Sequence, residues 1–237
     1  DFEQLMPDPA LTLKQFEAFV SRPRRSSVHR WITIEPPPQR KDAARSGLEE
    51  LNARATEFVR KLVAAKEHGV DAIIISRPFD DQIGLMRANG MPAELLLPWR
   101  TTAAMLSGAK YLGSVQLPGG SENRNFLRPD GRVVMVVWSD KPTQETLFLG
   151  NDAEQIDVWG GATPLATKDH QQSVEVGTLP TFVFGVSEPI VRWRMALRFK
   201  SEHVESIFGK PHRNAIHYKN FFPQGVGGTI SIVAPQT

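Results

Sequence analysis

Residues 128–139, RPDGRVVMVVWS, place an unbroken apolar run after a Pro-Asp-Gly turn. Turn chemistry followed by a short stretch of valines with an aromatic end reads as a hydrophobic strand. The stretch also divides the chain. Before it, strand-like and helix-like patterns alternate; after it come only short strands and turns.

Working back from this point, LLPWRTTAAMLSGAKYLG at 96–113 carries a helix that Pro98 opens as an N1 proline, running to about Leu112. The run VDAIIIS at 70–76 has the near-continuous apolar character of a parallel strand covered on both faces. PFDDQIGLMRANGMP at 78–92 is a long loop after that strand's carboxyl end. Leu48, Leu51, Ala55, Phe58, Val59 and Leu62 trace a helical stripe that stops at Gly69, with Asp42 or Ser46 as its cap. VHRWITIEPPP at 28–38 is a strand ended by three prolines. Strand, helix and strand then make a βαβ unit with a right-handed crossover. Leu13, Phe16, Phe19 and Val20 share one face of a short first helix capped by Thr12, and the basic run RPRRSS at 22–27 ends it, as a solvated loop or as an anion site.

Working forward, the grammar is all-β. Strands are expected at 113–117, 124–128, 132–138, 144–149, 154–158, 172–176, 181–184 and 190–199, with two more near 214–219 and 228–234. Turn signals separate them, as in a β-sandwich.

Composition narrows the partners. A net charge of +2 from 28 basic and 26 acidic residues gives no clustered footprint for nucleic acid. The absence of cysteine removes disulfides, thiolate metal sites and a cysteine nucleophile. No apolar run reaches the roughly 20 residues of a membrane span. The chain opens DFEQLMPDP, with neither an initiator methionine nor a charged-then-apolar leader, the pattern of a processed or trimmed chain. His29, His68, His170, His203, His212 and His217 have no metal-ligand spacing, and no serine lies in a G-x-S-x-G elbow. Glycines 225, 227 and 228 precede no phosphate-binding helix. No cofactor is expected.

The order of these pieces resembles the carboxyl-terminal end of a clan of retaining glycoside hydrolases, whose (β/α)8 barrel is followed by a β-sandwich. The phrases that carry the resemblance are LLPWRTTAAMLSGAKYLG at 96–113, NFLRPDGRVVMVVWS at 125–139, QIDVWGGATPL at 155–165 and VEVGTLPTFVFGV at 174–186. It implies a fold of α/β plus all-β type: a partial (β/α) barrel-like region at 1–112, an antiparallel β-sandwich at 113–199, and additional strands or the start of an Ig-like module at 200–237. It also implies a carbohydrate ligand and an extracellular or periplasmic protein. A complete eight-fold barrel takes about 250 residues. The remainder is therefore expected from elsewhere in the same protein or from another subunit, unless the barrel itself has degenerated.

In that clan the seventh barrel strand ends on the nucleophilic carboxylate, and Glu35 in WITIEP matches it in type and place, although a charge before prolines also simply marks the solvent end of a strand. Retaining enzymes need a second carboxyl group about 5 to 5.5 Å away as general acid. The clan's usual acid lies on a fourth strand for which this chain has no room, so the chain alone is not expected to turn over substrate. Asp80 and Asp81 follow the next strand and face the same rim, where carboxylates accept bonds from sugar hydroxyls, although paired aspartates also make turns. Among Trp31, Trp99, Trp138, Trp159 and Trp193, most sit in apolar patterns that read as core. Trp99, beside Arg100 at a helix start, is the expected ligand contact. The contrasting expectation is a non-catalytic module that binds glycan or protein.

Overall fold

The computed structural model describes residues 1–23, 28–39, 47–201, 214–225 and 227. The expected caps Asp42 and Ser46, His203, His212, most of the basic run at 22–27 and the strand near 228–234 lie outside the described residues.

The first layer is a parallel sheet with helices on one face. It contains β1 (Phe2–Leu5), α1 (Leu13–Val20), β2 (His29–Ile34), α2 (Gly47–Glu67), β3 (Ala72–Ile75) and α3 (Leu96–Leu106), with strand order β1-β2-β3. Thr12 and Gln15 close a capping box at the start of α1. Along β2, Arg30, Ile32 and Ile34 are buried, while His29 and Trp31 are exposed. That period of two sends the first set to the helices, where Ile32 and Ile34 meet Phe16, Val20, Phe58 and Leu62. Buried Arg30 donates to Glu3 Oε2 and to the carbonyls of Val20, Arg22 and Pro23, satisfying acceptors at the end of α1.

The rest is built mainly from antiparallel strands: β4 (Lys110–Gly113), β5 (Glu122–Leu127), β6 (Val133–Trp138), β7 (Thr143–Leu147), β8 (Glu154–Ile156), β9 (Ala162–Pro164), β10 (Ala166–Lys168), β11 (Gln171–Val176) and β12 (Thr181–Val186). Helix α4 (Glu188–Ala196) and the short pair β13 (Arg198–Phe199) and β14 (Ile216–His217) follow. One sheet runs β4-β5-β6-β12-β8-β9 and a second β10-β11-β7.

Strand β6, the apolar run after the Pro-Asp-Gly turn, is buried at every position. Its side chains divide by alternation. Val134, Val136 and Trp138 pack with Val59 and Val63 of α2 and Leu106 of α3. Val133, Met135 and Val137 pack with Leu147, Val174 and Val176 of the second sheet. One strand thus seals two interfaces, which is why its sequence has no polar phase. The turn before it is fixed by Asp130, which accepts from Arg132, and Arg128 reaches the Ala104 and Met105 carbonyls at the end of α3.

Four expectations change. The stretch at 190–199 is mostly helix: Pro189 occupies the first turn, Glu188 pairs with Arg192 one turn on at 2.7 Å, and Ile190 and Val191 are buried. Helix α3 begins at Leu96, making Pro98 its third residue, and ends at Leu106 because Gly108 takes φ +66° and frees Lys110–Gly113 to pair with β5. The strand placed at 113–117 therefore sits earlier, at Lys110–Gly113. Strand β3 is not covered on both faces. It is an edge of its sheet among the described residues, and Ile74 is exposed.

Candidate functional site

Glu35 immediately follows β2, in phase with exposed Trp31 and half-buried Thr33, so it stands at the carboxyl end of the face that the helices leave open. Its Oε1 accepts from Ser76 Oγ at 3.1 Å and from an Arg77 terminal nitrogen at 3.0 Å. Both donors follow β3, which pairs with β2 in parallel register, Ile34 opposite Ile75. Parallel pairing therefore delivers them to the same end. No described residue donates to Glu35 Oε2.

The same guanidinium lies 3.7 Å from Asp80 Oδ2. Arg77 thus stands between two carboxylates. It does so from a left-handed backbone, φ +45°, a conformation that costs a non-glycine residue free energy and recurs at functional sites. Asp80 Oδ1 accepts the backbone N–H groups of Gln82 and Ile83, which hold its carboxyl below the usual carboxylate range, with Arg77 adding to the effect. Asp81 accepts the Ala88 N–H on the same loop. Buried Ile83 and Leu85 anchor that loop, and Phe79 projects from it into solvent.

Trp99 and Arg100 lie elsewhere. Trp99 is half-buried on α3 and lines a cleft of about 310 Å³ with Leu62, Lys66, Asp71 and Ala72, at the amino end of β3 and away from Glu35. Burial lowers the Lys66 amine below its usual value and Asp71 opposes that shift. Arg100 is exposed on the same helix. The structure therefore brings Glu35 and Asp80 together through Arg77 and keeps Trp99 apart. Of the other tryptophans, Trp138 is buried, while Trp31 is exposed and stacks on Phe2 at 5.2 Å.

Sequence reasoning missed Ser76 and Arg77. The available signal was their position directly after an apolar strand that pairs with the strand before Glu35.

Among solved structures the chain is similar to a family 39 glycoside hydrolase from the gut symbiont Bacteroides cellulosilyticus WH2, with TM-score 0.52 and 17% identity over 76% of this chain and 40% of that one. It is also similar to the catalytic domain of the GH30 xylanase C from Talaromyces cellulolyticus, with TM-score 0.45 and 14% identity over 69% and 42% of the two chains. A maltogenic α-amylase from Thermotoga neapolitana gives TM-score 0.43 and 14% identity over 74% and 46%. The chain spans less than half the length of each. No protein-family model matches it and no curated protein does. The fold is glycoside-hydrolase-like. No helix among the described residues is long and apolar enough to cross a membrane.

Proposed function

We propose that this chain is the carboxyl-terminal portion of a glycoside-hydrolase-like protein that acts on carbohydrate, with Glu35 as the carboxylate that meets the sugar. Its organisation is then a partial barrel-like region at 1–112, a β-sandwich at 113–199 and further β structure at 200–237. The observation that carries the reading is the state of Glu35: Oε1 is held by Ser76 and Arg77, while Oε2 has no partner among the described residues. A carboxylate fixed through one oxygen presents the other in a defined direction, as a nucleophile or sugar-hydroxyl acceptor requires.

The open sheet face supports a missing complement. Phe2, Trp31 and Ile74 are exposed large hydrophobics on or at the edge of that face. Parallel sheets are ordinarily covered on both sides. The partner is the rest of the barrel, from the same protein or another subunit.

The chain by itself binds and does not hydrolyse. A general acid must be protonated at working pH. Asp80, the carboxyl group nearest in the ion-pair chain, is shifted the opposite way by its backbone donors.

A second reading, a non-catalytic glycan- or protein-binding module of extracellular location, is favoured by the Glu35–Arg77 ion pair itself, because structural carboxylates are commonly held in this way. A panel of aryl glycosides with the full-length protein separates the two. Loss of turnover in Glu35→Gln supports the first reading, and equal rates in both proteins remove Glu35 from the chemistry.

A further inference from the structure

Lys61 and Lys66 share α2, and the fold treats them differently. Lys61 is buried and held by Glu57 at 2.7 Å. Lys66, in the last turn, is half-buried and makes neither a hydrogen bond nor an ion pair with a described residue. Its side chain instead lines the cleft that Trp99 borders, between α2, α3 and the amino end of β3. Leu62, Ile73, Trp99 and Leu106 supply apolar walls, and Asp71 adds a carboxylate. The volume of about 310 Å³ lies at the small end of ligand sites, which run from about 300 to 1,000 Å³.

An amine so placed is a nucleophile. Removal from water disfavours the ammonium form, and no acceptor among the described residues holds its protons. Burial accordingly lowers the Lys66 amine below its usual value, against the opposing charge of Asp71. The walls around it select an apolar body about one ring in size, and the indole of Trp99 offers that ring an aromatic neighbour.

We infer that Lys66 forms a Schiff base with a small apolar aldehyde seated in this cleft. The electron pair of the free amine attacks the carbonyl carbon, and a proton passes from nitrogen to the new oxygen to give a carbinolamine. Uptake of one proton and loss of the hydroxyl as water then leave an iminium cation. No oxidant or reductant is consumed. The carboxylate of Asp71 stabilises the cation electrostatically. Nothing in this chemistry uses Glu35, so either site can fail without the other.

The test treats the whole chain with benzaldehyde and cyanoborohydride, which reduces the iminium to a stable benzylamine, and maps the label on peptides by mass spectrometry. Lys66 should be labelled at least about tenfold faster than the exposed Lys14, Lys141 and Lys168, because only there is the aldehyde held beside the amine. Its rate should saturate with benzaldehyde. Benzyl alcohol, which fills the cleft and cannot condense, should suppress labelling of Lys66 and leave the other three lysines unchanged. Ala103→Phe, at an exposed position of the cleft wall, should do the same by occupying the space. Labelling of Lys66 no faster than that of the exposed lysines, a rate linear in benzaldehyde, or labelling that neither benzyl alcohol nor Ala103→Phe reduces would each overturn the proposal.

Discussion

Arg77 donates to Glu35 Oε1 at 3.0 Å from a backbone with φ +45°. Its position is set by the parallel pairing of two strands whose ends carry the pair, and its conformation is one that side chains ordinarily avoid.

This strain can be separated from the ion pair. Arg77→Ala and Arg77→Gly both remove the guanidinium, but only glycine adopts positive φ without a Cβ penalty. Glycine should therefore be the more stable of the two by about 1 kcal/mol, a reversal of the usual order. Urea denaturation midpoints of the two variants check this. Equal midpoints, or a more stable alanine, would show that the backbone is not strained there.

Asp130 gives the turn before β6 its acid sensitivity. Hydrogen bonds from Arg132, joined by Arg128, lower its carboxyl from 3.8 to about 2. A carboxyl depressed in the folded state contributes stability that is present above the unfolded value and is lost as pH falls through the folded one. The thermal midpoint should thus show an extra decline between about pH 4 and pH 2. Asp130→Asn should remove that part of the profile, and an identical acid limb in the variant would contradict the assignment.

Glu145 is 1% exposed and has no basic partner among the described residues, yet it accepts the Gly119 N–H at 2.7 Å and the Ser121 N–H at 3.0 Å. Its carboxylate fastens the Pro-Gly-Gly turn before β5 to β7. Glu145→Ala leaves both donors without an acceptor, at a cost of about 1 to 3 kcal/mol for each that stays dry. Chemical denaturation should show that loss, and hydrogen exchange should speed up at Gly119 and Ser121. A variant as stable as the parent would mean that water replaces the carboxylate freely.

Much of this architecture was readable in sequence because the deciding patterns are local. Thr12 marks the start of α1, and the apolar stripe of α2 is a clean helical period. The continuous apolar run of β6 marked a strand, although its burial on both faces was not read from it. Strand β1 was missed because four residues, Phe2–Leu5, carry little pattern of their own and take their conformation from pairing with β2. The valine and aromatic residues of 190–199 suggested a strand, but Pro189 in the first turn and the Glu188–Arg192 spacing decided for a helix. At the site, Glu35 and Asp80 were identifiable as strand-end acids. The residue that joins them, Arg77, was not, because its role depends on strand register and on positive φ.

The most direct test of a sugar-facing Glu35 is the binding of neutral oligosaccharides to the chain and to Glu35→Gln, followed by amide chemical shifts. Hydrogen bonds to a charged acceptor contribute about 1.5 to 3 kcal/mol, so the variant should bind at least tenfold more weakly. The parent's shifts should centre on Glu35, Ser76, Arg77 and Phe79. Equal affinity in the two proteins, or shifts that bypass the ends of β2 and β3, would contradict it.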